Sequence, residues 1–154
     1  MDRKKIEKLN SNDNILIYMF GKEVEVEVFS VGDNCFDETG NYKPDGFTLS
    51  VEEIECLNWF LETIKIEDYT SEILEYCNQC YDDIGEDFIE ADGIEEEIYI
   101  SAIAISIGES TESSDFEYPE IAFYGDCECD PEHGICIGFK DKQFIGVQAQ
   151  DWIL

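Results

Sequence analysis

The sequence predicts an α+β fold: a single, mostly antiparallel sheet of about six strands with a two-helix pair packed on one face, in the order β-β-α-α-β-β-β-β. Three observations predict it. Apolar and acidic residues alternate strictly over 23–28, apolar residues recur at helical spacing between Ser50 and Gly85, and a period of two resumes at Ile98.

Residues 15–20 and 23–31 read as two strands joined at Gly21-Lys22, where glycine at the first central position suits a two-residue hairpin turn. In the second strand Glu23, Glu25 and Glu27 share a wet face, and Val24, Val26 and Val28 share a core face. The stretch 32–47, with Gly, Asn, Asp and Pro throughout, is a loop. Ser50 with Glu53 three residues later is a capping-box signal, and Ile54, Leu57, Leu61 and Ile64 then mark a helix over 51–64. Tyr69, Ile73, Cys77, Cys80 and Ile84 form a second helical stripe that ends at Gly85, where a helix stop belongs. The two helices are expected to lie antiparallel and to pack through Ile54, Leu57, Leu61, Ile73, Cys77 and Ile84 onto the Val24, Val26 and Val28 face.

Residues 86–97, acidic around Gly93, read as an exposed connection. Residues 98–107 carry apolar side chains on both faces and belong in the middle of the sheet. A polar loop over 108–115 is followed by strands at 120–124, 134–140 and 143–147, the last two joined by a tight turn at Asp141-Lys142. No internal repeat or composition break divides the chain, so residues 1–154 are expected to form one domain.

With 44% hydrophobic and 13% aromatic residues, the chain has the material for a core and is unlike a disordered acidic tail. Its charge is extreme, because 38 Asp and Glu against nine Lys and Arg give a formal net charge of -29. No Lys or Arg occurs from Ile66 to Phe139, whereas Arg3, Lys4, Lys5 and Lys8 crowd the first eight residues. A field of this sign repels phosphate, which argues against nucleic-acid binding and for a basic protein partner. The apolar run 15–20 is too short for a signal-peptide core, and no span approaches membrane length, so a cytoplasmic protein is expected. Seven Cys, an odd number, suit reduced thiols better than a disulfide framework.

The most distinctive segment runs from Asp126 to Gly134. Asp126, Glu128, Asp130 and Glu132 alternate, so an extended chain would place all four carboxylates on one face as an acidic rim for a partner or a weakly held divalent ion. Cys127, Cys129, His133 and Cys136 offer zinc-ligand types within ten residues. Their spacing departs from that of zinc motifs, which favours packing thiols and a structural His133 shaping the turn with Glu132 and Gly134. Cys77 and Cys80 form a CxxC on the buried helical stripe. There the i,i+3 separation is too wide for an unstrained disulfide, and core packing is the expected role. His133 is the only histidine, and no phosphate loop, nucleophile elbow or metalloprotease motif is present, so no catalytic residues and no cofactor are expected.

The run Asp130-Pro131-Glu132-His133-Gly134 entering an alternating strand, with Gly146 and Asp151 near the end, resembles a family of small acidic bacterial proteins of unknown function with a C-terminal Glu-His-Gly motif. Some of its members are suspected toxin-immunity proteins. The resemblance implies an N-terminal hairpin, a central helical pair, a C-terminal sheet and a binding role, with no catalytic residues to carry over. The expected function is therefore a non-catalytic acidic antagonist that neutralises a basic partner such as a toxin nuclease. The alternative is a metal-binding module built on the Cys127, Cys129, His133 and Cys136 group or on the 126–132 rim.

Overall fold

The structure, a computed structural model, describes residues 5–108 and 118–153. The strands β1 (Asp13–Met19), β2 (Lys22–Ser30), β3 (Ile98–Ile105), β4 (Ile121–Cys127), β5 (Ile135–Lys140) and β6 (Gln143–Gln148) lie side by side in chain order. Neighbours are antiparallel except β2 and β3, which run parallel. A parallel pair needs a long crossover, and α1 (Val51–Thr63) and α2 (Thr70–Ile84) provide it. The α+β class and the mostly antiparallel six-stranded sheet are as expected. The expected loop over 108–115 lies, from residue 109 onward, outside the described residues.

The hairpin turn falls one residue earlier than its glycine suggested. Met19 pairs with Lys22, leaving Phe20-Gly21 as the turn, with φ of 53° and 76°. Both positions are left-handed, as in a type I′ turn, and the glycine takes the second place rather than the first. Phe20 is a bulky residue in that conformation, and the Glu67 carboxylate, on the 3-10 turn Ile66–Tyr69, accepts its N–H.

The capping box at the start of α1 forms as the sequence indicates: Ser50 Oγ accepts from the Glu53 N–H at 3.2 Å, and Glu53 Oε1 accepts from the Ser50 N–H at 2.8 Å. Yet Glu53 is only 1% exposed, which capping alone does not require. Its carboxylate also accepts from Asn34 Nδ2 at 2.7 Å and from the Ser30 hydroxyl, while Lys43 Nζ donates to Asn34 Oδ1 at 3.0 Å. A buried carboxylate is tolerable only with its lone pairs met, and here the donors come from the end of β2 and the loop after it.

On the helix-covered face of the sheet, Ile54, Leu57, Phe60, Ile73 and Cys77 meet Val26, Val28, Ile103, Ile105, Ile121, Phe123, Ile137 and Phe139. Phe60 sits 4.7 Å from Phe123 and 5.5 Å from Phe139, centroid to centroid. The helices therefore lie mainly over the C-terminal strands, α1 against β4 and α2 against β6, rather than on the hairpin valines alone. Two expected contacts differ. Leu61 is only half-buried, and Ile84 is 61% exposed because α2 stops at the left-handed Gly85 immediately after it. The 86–97 connection is not wholly exposed either: a single turn, α3 (Ile94–Glu97), buries Ile94 and Glu97.

The opposite face is built from small residues. Ala104, Ala122 and Cys136 pack with Ile153, Trp152, Phe29 and Tyr124. Trp152 comes so close to β5 that a Cβ on Gly138 would stand 2.7 Å from its ring. Among the described residues no helix is long and apolar enough to cross a membrane.

Candidate functional site

Past the end of β4 the alternation of acids and cysteines becomes a division between outside and inside. Asp126 and Glu128 are exposed, while Cys127 and Cys129 are each 4% exposed and belong to the core beneath α2. Glu132 is exposed, and Asp130, half-buried, is turned toward His133. Three of the four rim carboxylates thus face solvent together with Tyr99, which is 64% exposed and directly opposite Asp126 in the β3–β4 ladder. Glu96, Tyr99, Asp126, Glu128 and Pro131 line one shallow depression.

The turn between β4 and β5 is held by Asp130. Its carboxylate lies 3.0 and 3.1 Å from His133 Nδ1 and accepts the His133 N–H at 3.2 Å, while its carbonyl accepts the Gly134 N–H at 2.9 Å. The hydrogen bond and charge of Asp130 raise the imidazole above its ordinary value, favouring the cation. Gly134 has φ +66°, and a Cβ there would stand 2.5 Å from the Gln150 side chain and from the Gly125 carbonyl oxygen, so no other residue fits without movement. The Tyr76 hydroxyl donates to the Gly134 carbonyl at 2.9 Å and the Gln150 N–H to the His133 carbonyl at 2.9 Å, which docks the turn on α2 and on the C-terminal segment. The residue that holds His133 is Asp130 rather than Glu132.

The zinc quartet weighed from sequence is not brought together. Cys136 sits on the far face of the sheet beside Ala104 and Ala122, where burial pushes its thiol up to about 12. His133 points outward, its side chain 58% exposed. Strand alternation separates Cys136 from the other thiols, and the ion pair with Asp130 occupies His133 Nδ1.

A different group assembles instead. Cys129 Sγ is 3.4 Å from Cys127 Sγ, and Cys127 Sγ is 3.7 Å from the Asp130 carbonyl oxygen. Cys77 Sγ, Cys129 Sγ and a Glu97 carboxylate oxygen, all buried, lie within 4.8 Å of one another. Cys80, half-buried one turn along α2, interacts with Cys129 and with the Tyr76 hydroxyl. The Tyr81 hydroxyl donates to Glu97 Oε1 at 2.6 Å, and no Lys or Arg nitrogen among the described residues pairs with this carboxylate. The Cys129 contact and then burial drive the Cys127 thiol well above its usual range. At Cys129 the contact with Cys127 pulls downward, but Cys77 and burial outweigh it and the thiol is raised as well.

The CxxC was read correctly as lying on the core side of α2. Its meeting with Cys127 and Cys129 was missed, although each pair carries a signal: residues i and i+3 share a helix face and residues i and i+2 share a strand face. Glu97 had no such signal, because it ends a run of three glutamates.

A search of curated proteins found no match, and a search of solved structures found none. The model of the family described as a domain of unknown function, DUF6985, matches residues 4–154, and the chain belongs to that family.

Proposed function

We propose that this chain is a non-catalytic interaction protein of the bacterial cytoplasm that binds and neutralises a basic protein partner, as an immunity protein does with a cognate toxin such as a nuclease. The observation that carries the reading is the depression around Tyr99, where an exposed aromatic side chain is flanked by Glu96, Asp126 and Glu128. Tyrosine is a favoured interface anchor, its ring takes an Arg guanidinium by cation–π contact, and the carboxylates pair with the same kind of residue. The wider surface supports it: α1 and α2 contain no Lys or Arg, and Asp82 and Asp83 occupy the last turn of α2, where the helix dipole disfavours anions. Carboxylates placed against local stability fit a surface selected for its field, which speeds encounter with a basic partner.

The test is capture of partners from the native cytosol, or with the neighbouring gene's product, followed by association kinetics across ionic strengths. The expected result is a basic partner whose association slows steeply with salt and slows further with Asp126→Lys, Glu128→Lys or Tyr99→Ala. Moderate salt is also expected to raise the melting temperature of the free protein, because it screens carboxylates held close in the fold. A partner that binds at a rate indifferent to salt would overturn the reading.

A further inference from the structure

The buried group at the junction of α2, α3 and β4 has the composition of a metal site, with the donor atoms of Cys77, Cys129 and Glu97 already gathered, and we propose that these three and Cys127 bind one zinc ion. Glu97 and Cys127 also line the depression around Tyr99, so the site lies directly beneath the proposed partner surface, but metal binding does not depend on a partner. Zinc takes four ligands in a tetrahedron, with Zn–S of about 2.3 Å and Zn–O of about 2.0–2.2 Å, which sets neighbouring donor atoms about 3.5–3.8 Å apart. Cys77, Cys129 and Glu97 already fall within 4.8 Å of one another, and Cys127 Sγ, 3.4 Å from Cys129 Sγ but outside that group, is the ligand that must swing inward to complete the tetrahedron.

The backbone prepares each ligand. Cys127 and Cys129 are i,i+2 partners leaving β4 and point to the same side; Cys77 comes from the middle of α2; Glu97 ends α3. Ile98 pairs with Cys127, and the Glu128 N–H donates to the Glu97 carbonyl at 2.9 Å, so the carboxylate and the two strand cysteines are fixed beside one another. All four ligands are buried, whereas Cys80 is half-buried.

The charge and softness of the group choose the ion. Three sulfurs and one carboxylate favour zinc over calcium or magnesium, which want oxygen throughout. Glu97 is a buried carboxylate whose Oε1 accepts from the Tyr81 hydroxyl, and a cation beside it offsets the cost of burying the charge. Loading releases three thiol protons to solvent, so a zinc dication with three thiolates and one carboxylate leaves a net charge of about −2 at the centre. Around it, Tyr81 orients Glu97 and Cys80 faces the Cys129 sulfur, the outer contacts that metal ligands ordinarily have.

The experiment uses the full chain, reduced and stripped of metal, titrated with cobalt(II) and then with zinc in competition with a chromogenic chelator. One equivalent of cobalt should produce thiolate-to-metal charge transfer and the visible bands of a tetrahedral ion, and zinc should displace it. Cys129→Ser, Cys77→Ser and Glu97→Gln should abolish stoichiometric binding, Cys80→Ala should weaken it by about 10–100-fold, and Cys136→Ser should leave it unchanged. Should the ligand variants fail to fold, alkylation of the parent protein mapped by mass spectrometry still decides: zinc should protect Cys77, Cys127 and Cys129 and leave Cys56 as reactive as before. Absence of charge transfer, or binding that excess magnesium removes, would overturn the site. Full affinity in Glu97→Gln with loss in Cys80→Ala would overturn the ligand set.

Discussion

Between Asp126 and Cys129 the chain carries two chemistries one residue apart, and their difference lies in what surrounds them. Asp126 and Glu128 stand in water beside Tyr99, where each carboxylate acts weakly and through the sum of many like it. Cys127 and Cys129 stand in the core, Cys129 against Cys77 and Glu97, where effects are local and screening by salt is weak. The pleat alone sorts the residues. The electrostatic extreme of this molecule is therefore a surface property, while a cluster of thiols and one carboxylate is hidden directly beneath.

The strongest way to break that division is to move a carboxylate inward. Cys129→Asp in metal-free protein should cost more than about 3 kcal/mol, because an acid enters a site that offers thiols and another carboxylate. Urea unfolding with an unchanged midpoint would mean that Cys129 is not in the core. The same inside-outside rule can be read on α1. Leu57→Ala should cost about 2–5 kcal/mol, since Leu57 is fully buried, and the half-buried Leu61→Ala clearly less; equal losses would blur the distinction.

Changes on the outer side should be far smaller. Glu128→Lys is expected to stay within about 0.5 kcal/mol of the parent in unfolding experiments, even as it slows binding to a basic partner. The smallest effect concerns His133. Its folded pKa is raised above the 6.5 of a free histidine by Asp130, so the ion pair's contribution is fully present below that value and fades as pH rises through the folded pKa. An NMR titration should show the raised imidazole pKa, and Asp130→Asn should return it toward the ordinary value. An Asp130→Asn imidazole that still titrates high would assign the shift to the wider acidic field.

Much of the fold was legible because its signals are local. The Glu/Val alternation of β2, the Ser50–Glu53 capping box and the Gly85 stop each depend on residues a few positions apart, and each appears where it was expected. The misplacements arose where a distant partner decides. Phe20 adopts a left-handed turn with its N–H bound by Glu67, and Glu53 is buried because Asn34 and Ser30 reach it. The acidic rim was visible from alternation, but not that Asp130 leaves it to hold His133. The thiol group was invisible for the same reason: Cys77 and Cys129 are brought together only by the docking of α2 on the sheet.

The single parallel seam of the sheet bears on how the chain reaches this state. The hairpin and the four-stranded meander are each made of contacts between neighbours in sequence. Joining them requires Glu27 to find Ala102 across the whole helical crossover. Closing so long a loop is entropically costly and comes before the core contacts that reward it. The expected rate-limiting event is formation of the β2–β3 seam. Val28→Ala, at the seam, should slow folding, whereas Val147→Ala, in the far strand, should chiefly speed unfolding.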